Sequence, residues 1–244
     1  MNLIPRVAIV MPYYNERDLL LRSISGILKQ TYKNYKLFIV DDGSLPANKA
    51  EMWLQGILSA NYKAIKVINK PNSGVSDARN RALDHIKTEG GFDLIAYCDS
   101  DDVWHDMHLE EAIKALAVYD ADMVYSTPEF RMVDGTVAVP FGIPFYEYYP
   151  GIDKLKQQNF IYISSVVHSI KCLSVGEFDR ELNSLEDWDM WLRIAKAGYT
   201  IKQGLLKFPT LTYTCKINGN GSRRTEDIYQ KVLKKHDLIN NTNS

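Results

Sequence analysis

The segment AYCDSDDVW, residues 96–104, places three carboxylates within four positions. Asp99, Asp101 and Asp102 repel one another, so grouping them costs free energy unless a cation or hydrogen-bond donors lie among them. A DxD pair alone is common by chance, and Asp102 could simply cap the helix predicted to follow it. Partners for these carboxylates must come from elsewhere in the chain.

Three further polar clusters each follow a short apolar run. They are Pro12-Tyr13-Tyr14-Asn15-Glu16, Asp41-Asp42-Gly43-Ser44, and Asn72-Ser73-Gly74 with Arg79 and Asn80 a helical stretch later. Alone, each cluster is typical of a turn or a helix cap, and Arg79 is typical of a solvated or ion-paired helix residue. Clusters at four successive strand ends instead indicate one crevice in which a ligand binds.

The elements that position these clusters follow from hydrophobic periodicity. Continuous apolar runs at 7–11, 36–40, 65–68 and 94–97 predict buried strands, and helical spacing predicts helices near 19–28, 50–58, 76–86 and 108–118. This alternation implies right-handed crossovers and a mostly parallel sheet. The four polar clusters should therefore share one edge of that sheet.

After about residue 122 the pattern is mixed. Short strands are predicted at 123–126, 130–132 and 210–215, with a hairpin turn at Asp134-Gly135, helices at 185–197 and 226–239, and loops at 139–151 and 216–225. No stretch resembles a linker. We predict one α/β domain over 1–244, with a front half at 1–125, a rear half at 126–225, and a C-terminal helix and tail at 226–244.

Composition excludes several classes of protein. The chain of 244 residues is 45% hydrophobic and 24% charged, which fits an ordinary soluble globular protein. A net charge of -1 supplies no basic field, so nucleic acid is not expected as a partner. Three cysteines without metal-type spacing favour a reducing compartment. With no predicted membrane span or leader, we expect a cytoplasmic protein.

The acidic cluster, a nearby Arg79 and the missing glycine-rich loops together indicate a cation. The sequence contains neither GxxxxGK[ST] nor GxGxxG, so phosphate is not held by a P-loop or a dinucleotide fingerprint. Mg²⁺ commonly binds one or two protein carboxylates and completes its shell with phosphates and water, and Mn²⁺ has similar preferences. The sequence therefore predicts a divalent cation, Mn²⁺ or Mg²⁺, that bridges to phosphate oxygens.

Five segments in order resemble a family 2 glycosyltransferase of the GT-A fold. They are VAIVMPYYNE, LKQTYKNYKLFIVDDGS, NSGVSDARNRAL, YCDSDDVW and GEFDRELNSLEDWDMWLRIAKAGY. The resemblance covers about residues 7–213 and implies a GT-A-like nucleotide-binding fold. Residues 1–125 would then bind a nucleotide sugar, and 126–225 would form the acceptor and catalytic half.

The resemblance also implies roles for individual residues. The nucleotide-binding positions that it indicates are Pro12, Tyr13, Glu16, Asp42, Asn72, Arg79 and Asp99. Within this set, Asp42 corresponds to the carboxylate that accepts a hydrogen bond from a uracil-like N3–H. Asp101 corresponds to the metal ligand. In the pair Glu186-Asp187, Asp187 corresponds to the general base of inverting members.

The environment of Asp187 agrees with that role. It lies near the start of a predicted helix, where free backbone N–H groups favour a carboxylate. Trp188 and Trp191 could partly desolvate it and raise its pKa towards neutrality. The alternative is that Glu186 and Asp187 only complement the helix dipole. Alternatively, Trp188 and Trp191 are plain core residues, or they line the acceptor pocket, where Trp188 would contact the sugar.

One departure from the family concerns the loop after the last strand. Many relatives carry a metal-binding His there, whereas YTCKINGNGSRRTE contains none. Lys216, Arg223 or Arg224 could instead contact the diphosphate as charge-assisted donors. Among the histidines, His105 and His108 are predicted to be structural, and His168 is an acceptor-side candidate.

The predicted activity is inverting hexosyl or N-acetylhexosaminyl transfer from a UDP-sugar to a hydroxyl of a saccharide or lipid-linked acceptor in polysaccharide biosynthesis. Two alternatives stay open: a non-catalytic nucleotide-sugar-binding domain, and a nucleotidyltransferase. The amphipathic helix at 228–239 either packs on its own domain, which we favour, or rests peripherally on the inner face of an anionic membrane.

Overall fold

The computed structural model describes residues 4–61, 63–138, 150–182, 184–205, 208–216 and 226–238. The front half alternates strands and helices as predicted: β1 Val7–Tyr13, α1 Arg17–Lys29, β2 Tyr35–Asp42, α2 Ala50–Asn61, β3 Ile65–Lys70, α3 Val75–Glu89, β4 Leu94–Tyr97, β5 Val103–Trp104 and α4 His108–Tyr119. The later elements are β6 Met123–Tyr125, β7 Pro128–Met132, α5 Ile152–Gln157, β8 Val166–Ser169, α6 Glu186–Lys196, β9 Ile201–Gln203, β10 Leu211–Cys215 and α7 Glu226–Lys235.

A seven-stranded sheet in the order β3-β2-β1-β4-β8-β6-β9 forms the centre of the molecule. Its first four strands are parallel, whereas β8 is antiparallel to both β4 and β6. A second sheet of three strands, β5-β10-β7, lies beside it. The mostly parallel sheet and the mixed rear half are as the sequence predicted. The front and rear halves share the large sheet, because β8, β6 and β9 extend it beyond β4.

The core lies on both faces of this sheet. Every residue of β1 is buried, and its side chains alternate between two apolar clusters. Ala8 and Val10 face the cluster that contains α3 and α6, whereas Val7 and Ile9 face the cluster that contains α1 and α4. Burial on both faces explains why the run is continuously apolar rather than alternating with polar residues.

Helix α1 approaches β5 unusually closely at Gly26. A Cβ atom added to Gly26 would lie 2.6 Å from the backbone oxygen of Trp104 and 3.2 Å from Val103 Cγ1. Only a residue without a side chain fits this contact. The position of β5, directly after the acidic cluster, is therefore fixed by the surface of α1.

Helix α7 packs on the domain, as we favoured from the sequence. Val232 is fully buried, and Tyr229 is among the α7 side chains that pack against the core cluster. Buried Asp189 of α6 lies 2.9 Å from both His236 Nε2 and Lys235 Nζ, so it holds the end of α7. The apolar side of α7 is thus used within the chain.

The described part of the chain contains no helix with the length and apolar character needed to cross a membrane.

Trp188 and His168 both lie in the core, which selects the core alternative for Trp188 and contradicts the acceptor-side role considered for His168. Trp188 is fully buried, donates from Nε1 to the Leu155 carbonyl at 2.7 Å and stacks on Tyr229, so it packs the core and does not contact an acceptor. His168 is not on the acceptor side, because it is fully buried in β8 and bonded to the Tyr97 hydroxyl at 3.0 Å.

His105 and His108, the two histidines predicted to be structural, have structural contacts. His105 contacts the Thr212 hydroxyl at 3.2 Å, and His108 contacts the Thr210 hydroxyl at 2.8 Å. Both imidazoles therefore help to attach the start of α4 to β10 and the residue before it.

Candidate functional site

The carboxyl ends of β1, β2, β3 and β4 lie at one edge of the sheet. The parallel register sets Tyr13 beside Asp41 and Asp42 beside Lys70. β1 also pairs with β4, whose last residue is Tyr97, directly before the acidic segment. The predicted convergence of the four polar clusters therefore follows from strand order.

The two adjacent carboxylates of β2 have different partners. Asp41 is fully buried and accepts hydrogen bonds from the backbone N–H groups of Ser44 at 2.8 Å and Ala50 at 2.9 Å. It therefore shapes the turn and the start of α2. Asp42 faces the β3–α3 loop, where it has several donors of its own.

Asp42 accepts hydrogen bonds from the backbone N–H groups of Ser73 at 3.0 Å and Gly74 at 2.9 Å, and it also pairs with Lys70. Asn72, another predicted nucleotide contact, donates its side-chain amide to the Asp42 carbonyl at 2.8 Å. A nucleobase N–H would have to share the Asp42 carboxylate with these donors. The proposed roles of Asp42 and Asn72 stay predictions.

The loop after β1 is tied to the turn after β2. Asn15 has a positive φ of 62°, which Asn tolerates better than most residues, and its N–H donates to Ser44 Oγ at 2.9 Å. Tyr13 is buried and donates to the Asn48 carbonyl at 2.7 Å; burial and the Asp41 charge raise its pKa to about 12.

Pro12 is buried as well, so Glu16 is the exposed member of the nucleotide-binding positions predicted in this loop. A nucleotide at this edge would therefore meet Glu16 directly, whereas Pro12 and Tyr13 would act by holding the loop in place.

The acidic cluster after β4 is compact. Asp99, Asp101 and Asp102 each offer an oxygen within 4.8 Å of the others. Asp102 is almost fully buried and accepts a hydrogen bond from the Thr214 N–H of β10 at 2.9 Å. Burial, followed by the charges of neighbouring carboxylates, raises the pKa of Asp101 and that of Asp102. This donor set of hard oxygens fits a divalent cation.

Arg79 neutralises part of the negative charge of this cluster. It is only 2% exposed; its Nη2 donates to Asp99 at 2.8 Å and its Nη1 donates to Glu186 at 2.5 Å. Burial alone would lower the pKa of Arg79, but the two carboxylates raise it. Arg79 therefore joins the end of β4 to the start of α6, and Glu186 is held as its ion-pair partner.

Lys216 supplies a second cation. Its Nζ lies 2.8 Å from Asp101 Oδ2 and also pairs with Glu16. Burial alone would lower the pKa of Lys216, but Asp101 and Glu16 raise it. Lys216 directly follows β10, at the start of the loop in which the resemblance led us to look for a metal-binding His. Arg223 and Arg224, the other predicted diphosphate contacts, lie outside the described residues.

Asp187 stands in the first turn of α6, immediately after the residue that Arg79 holds. Leu185, which precedes the pair Glu186-Asp187, has a positive φ of 61°. This conformation is strained for a residue with a branched side chain, and it sets the direction in which the chain enters the helix. The Asp187 carboxylate is half-buried, and Asn159 donates its side-chain amide to Asp187 Oδ2 at 3.0 Å. Asn159 therefore fixes the orientation of this carboxylate.

Tyr213 of β10 lies within electrostatic range of both Asp187 and the acidic cluster. Burial raises the pKa of Tyr213, and the charges of Asp102, Asp101, Asp99 and Asp187 raise it further. The direct geometric link is Arg79, whose ion pairs join Asp99 of the cluster to Glu186, the residue before Asp187. That Asp187 faces Asp101 stays a prediction.

Sequence reasoning missed several residues that build this region. Tyr213 forms an aromatic cluster with Tyr162 and Phe130, with ring centroids 5.2 and 5.7 Å from its own. Ser164 accepts a hydrogen bond from the Asp99 N–H at 2.9 Å. The segments that contain these residues carry no motif. The aromatic residues in 160–162 and in β10 were the sequence feature that could have indicated them.

The chain is similar to several known proteins in sequence and in fold. The sequence model described as Glycosyl transferase family 2 matches residues 8–171. Succinoglycan biosynthesis protein ExoW of Rhizobium meliloti (strain 1021) is 33% identical over 123 residues, 50% of this chain and 37% of that protein. The protein named UDP-Glc:alpha-D-GlcNAc-diphosphoundecaprenol beta-1,3-glucosyltransferase WfgD, of Escherichia coli, is 31% identical over 194 residues, 78% of this chain and 70% of that protein.

Among solved structures, S. aureus TarS 1-349 in complex with UDP-GlcNAc has the same fold, with a TM-score of 0.73 at 19% identity. The match covers 96% of this chain and 66% of that one. The chain spans only part of the length of these proteins, from little more than a third of ExoW to 70% of WfgD.

Proposed function

The chain belongs to glycosyl transferase family 2, and on that premise we propose that it transfers a hexosyl or N-acetylhexosaminyl group from a nucleoside-diphosphate sugar to an acceptor hydroxyl. The observation that carries the proposal is the buried Arg79 bridge, which joins Asp99 of the acidic cluster to Glu186, the residue directly before Asp187. It links an acidic cluster suited to a metal and a diphosphate to the helix that bears a separate carboxylate suited to proton removal.

A UDP-sugar is the donor that we propose. TarS is described in complex with UDP-GlcNAc and WfgD is named for UDP-Glc, and both resemble this chain. The ends of β1 and β2 supply the side chains that a nucleotide would meet, with Glu16 exposed and Asp42 more deeply placed. The acceptor that we propose is a saccharide or lipid-linked saccharide, as the name of WfgD suggests for that relative.

The acidic cluster fits the divalent cation that the family implies. Asp101 and Asp99 would hold it, with Asp102 behind them in the same cluster. When bound, Mn²⁺ or Mg²⁺ would stabilise the negative charge that develops on the departing diphosphate. Arg79 keeps Asp99 in place through its ion pair.

Asp187 is the general base in this proposal. Its carboxylate takes the proton of the acceptor hydroxyl as the acceptor oxygen forms a bond to the anomeric carbon. The bond from that carbon to the diphosphate oxygen breaks on the opposite face, so the configuration inverts. Asn159 holds the carboxylate in position, and Glu186, paired with Arg79, fixes the helix that bears it.

Asp187→Asn tests the proposal. A general base contributes about a hundred- to ten-thousand-fold, so turnover should fall by that factor while donor affinity stays within about twofold of wild type. Turnover is measured as UDP released in the presence of acceptor, and affinity by calorimetry. Asp153→Asn is the matched control, because the Asp153 side chain is 88% exposed on α5 and should leave both quantities unchanged. An Asp187→Asn variant that keeps most of its turnover would rule out this base.

The same assay separates the two alternatives. A nucleotide-sugar-binding domain without activity would be stabilised against heat by one donor but would release no UDP with any acceptor. A nucleotidyltransferase would instead consume a nucleoside triphosphate and release pyrophosphate. A panel of nucleotide sugars with Mn²⁺ or Mg²⁺, scored by thermal stabilisation, identifies the donor.

A further inference from the structure

Lys216 lies where three separate segments of the chain meet. It follows directly after β10; Glu16 belongs to the loop after β1, and Asp101 to the segment after β4. Lys216 Nζ contacts both carboxylates and is 2.8 Å from Asp101 Oδ2. The Lys216 side chain is only 23% exposed and that of Asp101 26%, so their contact is a partly desolvated ion pair.

The other described cation at the cluster already has its partners. Both terminal nitrogens of Arg79 are taken, one by Asp99 and one by Glu186. Among the described residues, Lys216 is therefore the positive charge that contacts Asp101. Without it, Asp101 would stand beside Asp99 and Asp102 with no positive charge from the described chain in contact, at a cost that burial increases.

The Asp101 carboxylate that Lys216 contacts belongs to the group of oxygens suited to a metal. A divalent cation and an ammonium group cannot both sit against the same carboxylate oxygen without strong repulsion at this distance. We propose that Lys216 is an exchangeable internal counter-ion: it neutralises Asp101 before the donor binds, and it is displaced when a divalent cation enters. This inference rests on the proposed function, because it assumes that the cation binds at Asp101.

The exchange couples cation binding to donor binding. Alone, a cation must break the contact between Lys216 and Asp101, which weakens its apparent affinity. When a nucleoside diphosphate is present, the displaced ammonium can donate to a diphosphate oxygen, so the lost ion pair is replaced. Binding of each ligand therefore favours the other, and the coupling is reciprocal.

The test uses Mn²⁺ alone, titrated into the donor-free protein and followed by the electron paramagnetic resonance signal of free Mn²⁺. Lys216→Met should bind Mn²⁺ about tenfold more tightly than wild type, since the competing charge is gone, whereas Lys216→Arg, which keeps the charge, should stay close to wild type. Lys231→Met is the control, because Lys231 pairs with exposed Glu181 and should leave Mn²⁺ affinity unchanged. Circular dichroism melting checks that each variant is folded, and Lys216→Gln serves as a second neutral variant.

A second titration repeats the experiment with saturating UDP. In wild type, UDP should tighten Mn²⁺ binding by a larger factor than in Lys216→Met, because only wild type can transfer the ammonium from Asp101 to the diphosphate. If both neutral variants bind Mn²⁺ no more tightly than wild type, the exchange is wrong. The same holds if no protein in the series binds Mn²⁺ without donor.

These outcomes distinguish a failure of the exchange from a failure of the proposed function. If the wild-type protein transfers sugar but both neutral variants bind Mn²⁺ with unchanged affinity, the exchange is wrong and the proposed reaction stands. Tighter Mn²⁺ binding by those variants, with no sugar transfer by wild type to any acceptor, would keep the exchange and remove the proposed reaction.

Discussion

At the scale of single residues, Arg79 joins two distant parts of the chain, which its position on a helix does not suggest. Its guanidinium group is buried and contacts two carboxylates from different parts of the chain, one after β4 and one at the start of α6. The Phe178 ring lies 5.5 Å from its central carbon and closes one side. Arg79 acts as a positioning residue for the helix that bears Asp187.

Arg79→Met should lower the free energy of unfolding by about 3–5 kcal/mol, since removal of one partner from a buried ion pair leaves uncompensated charge. Urea denaturation measures the change. Arg180→Met is the matched control: Arg180 also contacts two carboxylates, Asp77 and Glu177, but its side chain is 53% exposed. Its loss should cost about 0–1 kcal/mol.

A double variant sharpens this prediction. In Arg79→Met with Glu186→Gln, one of the two stranded carboxylates is neutral, so part of the lost stability should return. Equal costs for Arg79→Met and Arg180→Met would contradict a structural role for the buried pair.

At the scale of elements, the contact between α1 and β5 sets the position of the acidic segment. Gly26 allows the backbone of α1 to approach the Trp104 backbone closely. Trp104 ends β5, which directly follows the segment that carries the three Asp residues. Gly26 in α1 and Gly56 in α2 differ in the space that an added side chain would have. A Cβ atom added to Gly56 of α2 would have no other atom within 4 Å.

Gly26→Ala should destabilise the protein by about 1–3 kcal/mol, because the added methyl collides with backbone that cannot move aside cheaply. Gly56→Ala, the same chemical change in open space, should stabilise it by about 0.5–1 kcal/mol through helix propensity. Thermal unfolding of the two variants measures both. Changes of the same sign would show that the close approach of α1 to β5 has little energetic weight.

Most elements could be predicted from the sequence, and the exceptions have physical reasons. The strands of the front half are continuous apolar runs because both faces of the sheet are covered. The two residues of β5 form a strand only through pairing with β10, so no local pattern could reveal it. Helical spacing could have assigned Trp188 to the core, since it shares the buried side of α6 with Trp191 and Leu192.

The site was predictable where strand order determines it and not where long-range pairing does. The convergence of the clusters around Asp42 and Asp99 followed from parallel topology. The pairing of Arg79 with Glu186 joins residues 107 positions apart, and that of Lys216 with Glu16 joins residues 200 positions apart. Charge alone does not select such partners, because the chain has 29 Lys and Arg and 30 Asp and Glu residues to combine.

At the scale of the whole molecule, two buried histidines make the fold sensitive to acid. Burial lowers the pKa of His168 to about 4, and burial together with the charge of His105 lowers the pKa of His108 to about 3. His168 Nδ1 contacts the Ser169 carbonyl at 2.7 Å, so this nitrogen donates and Nε2 accepts from Tyr97. Both rings are neutral in the folded protein at neutral pH.

The free energy of unfolding should therefore fall as the pH decreases from about 6.5 to about 4. In this window the unfolded chain protonates both histidines, with pKa values near 6.5, whereas the folded chain protonates neither. Each contributes a slope of up to about 1.4 kcal/mol per pH unit. Buried Asp102, whose pKa is raised, contributes with the opposite sign because its folded form binds a proton more readily.

His168→Gln isolates the contribution of His168, because glutamine keeps a hydrogen-bonding side chain but does not titrate. Urea unfolding at intervals from about pH 7 to about pH 5 should give this variant a shallower loss of stability than wild type. Parallel curves for the two proteins would mean that His168 does not control the acid response.

All three cysteines are free thiols; Cys98 and Cys172 are buried, whereas Cys215 is partly exposed and immediately precedes Lys216. Burial and the Asp102 charge raise the pKa of Cys215, so its alkylation should be slow at neutral pH and faster in mild alkali. A maleimide fluorophore could thus be attached at one native position without removing the other two sulfurs. Its emission would change when the neighbouring Lys216 ammonium group moves away, so the movement could be followed by fluorescence.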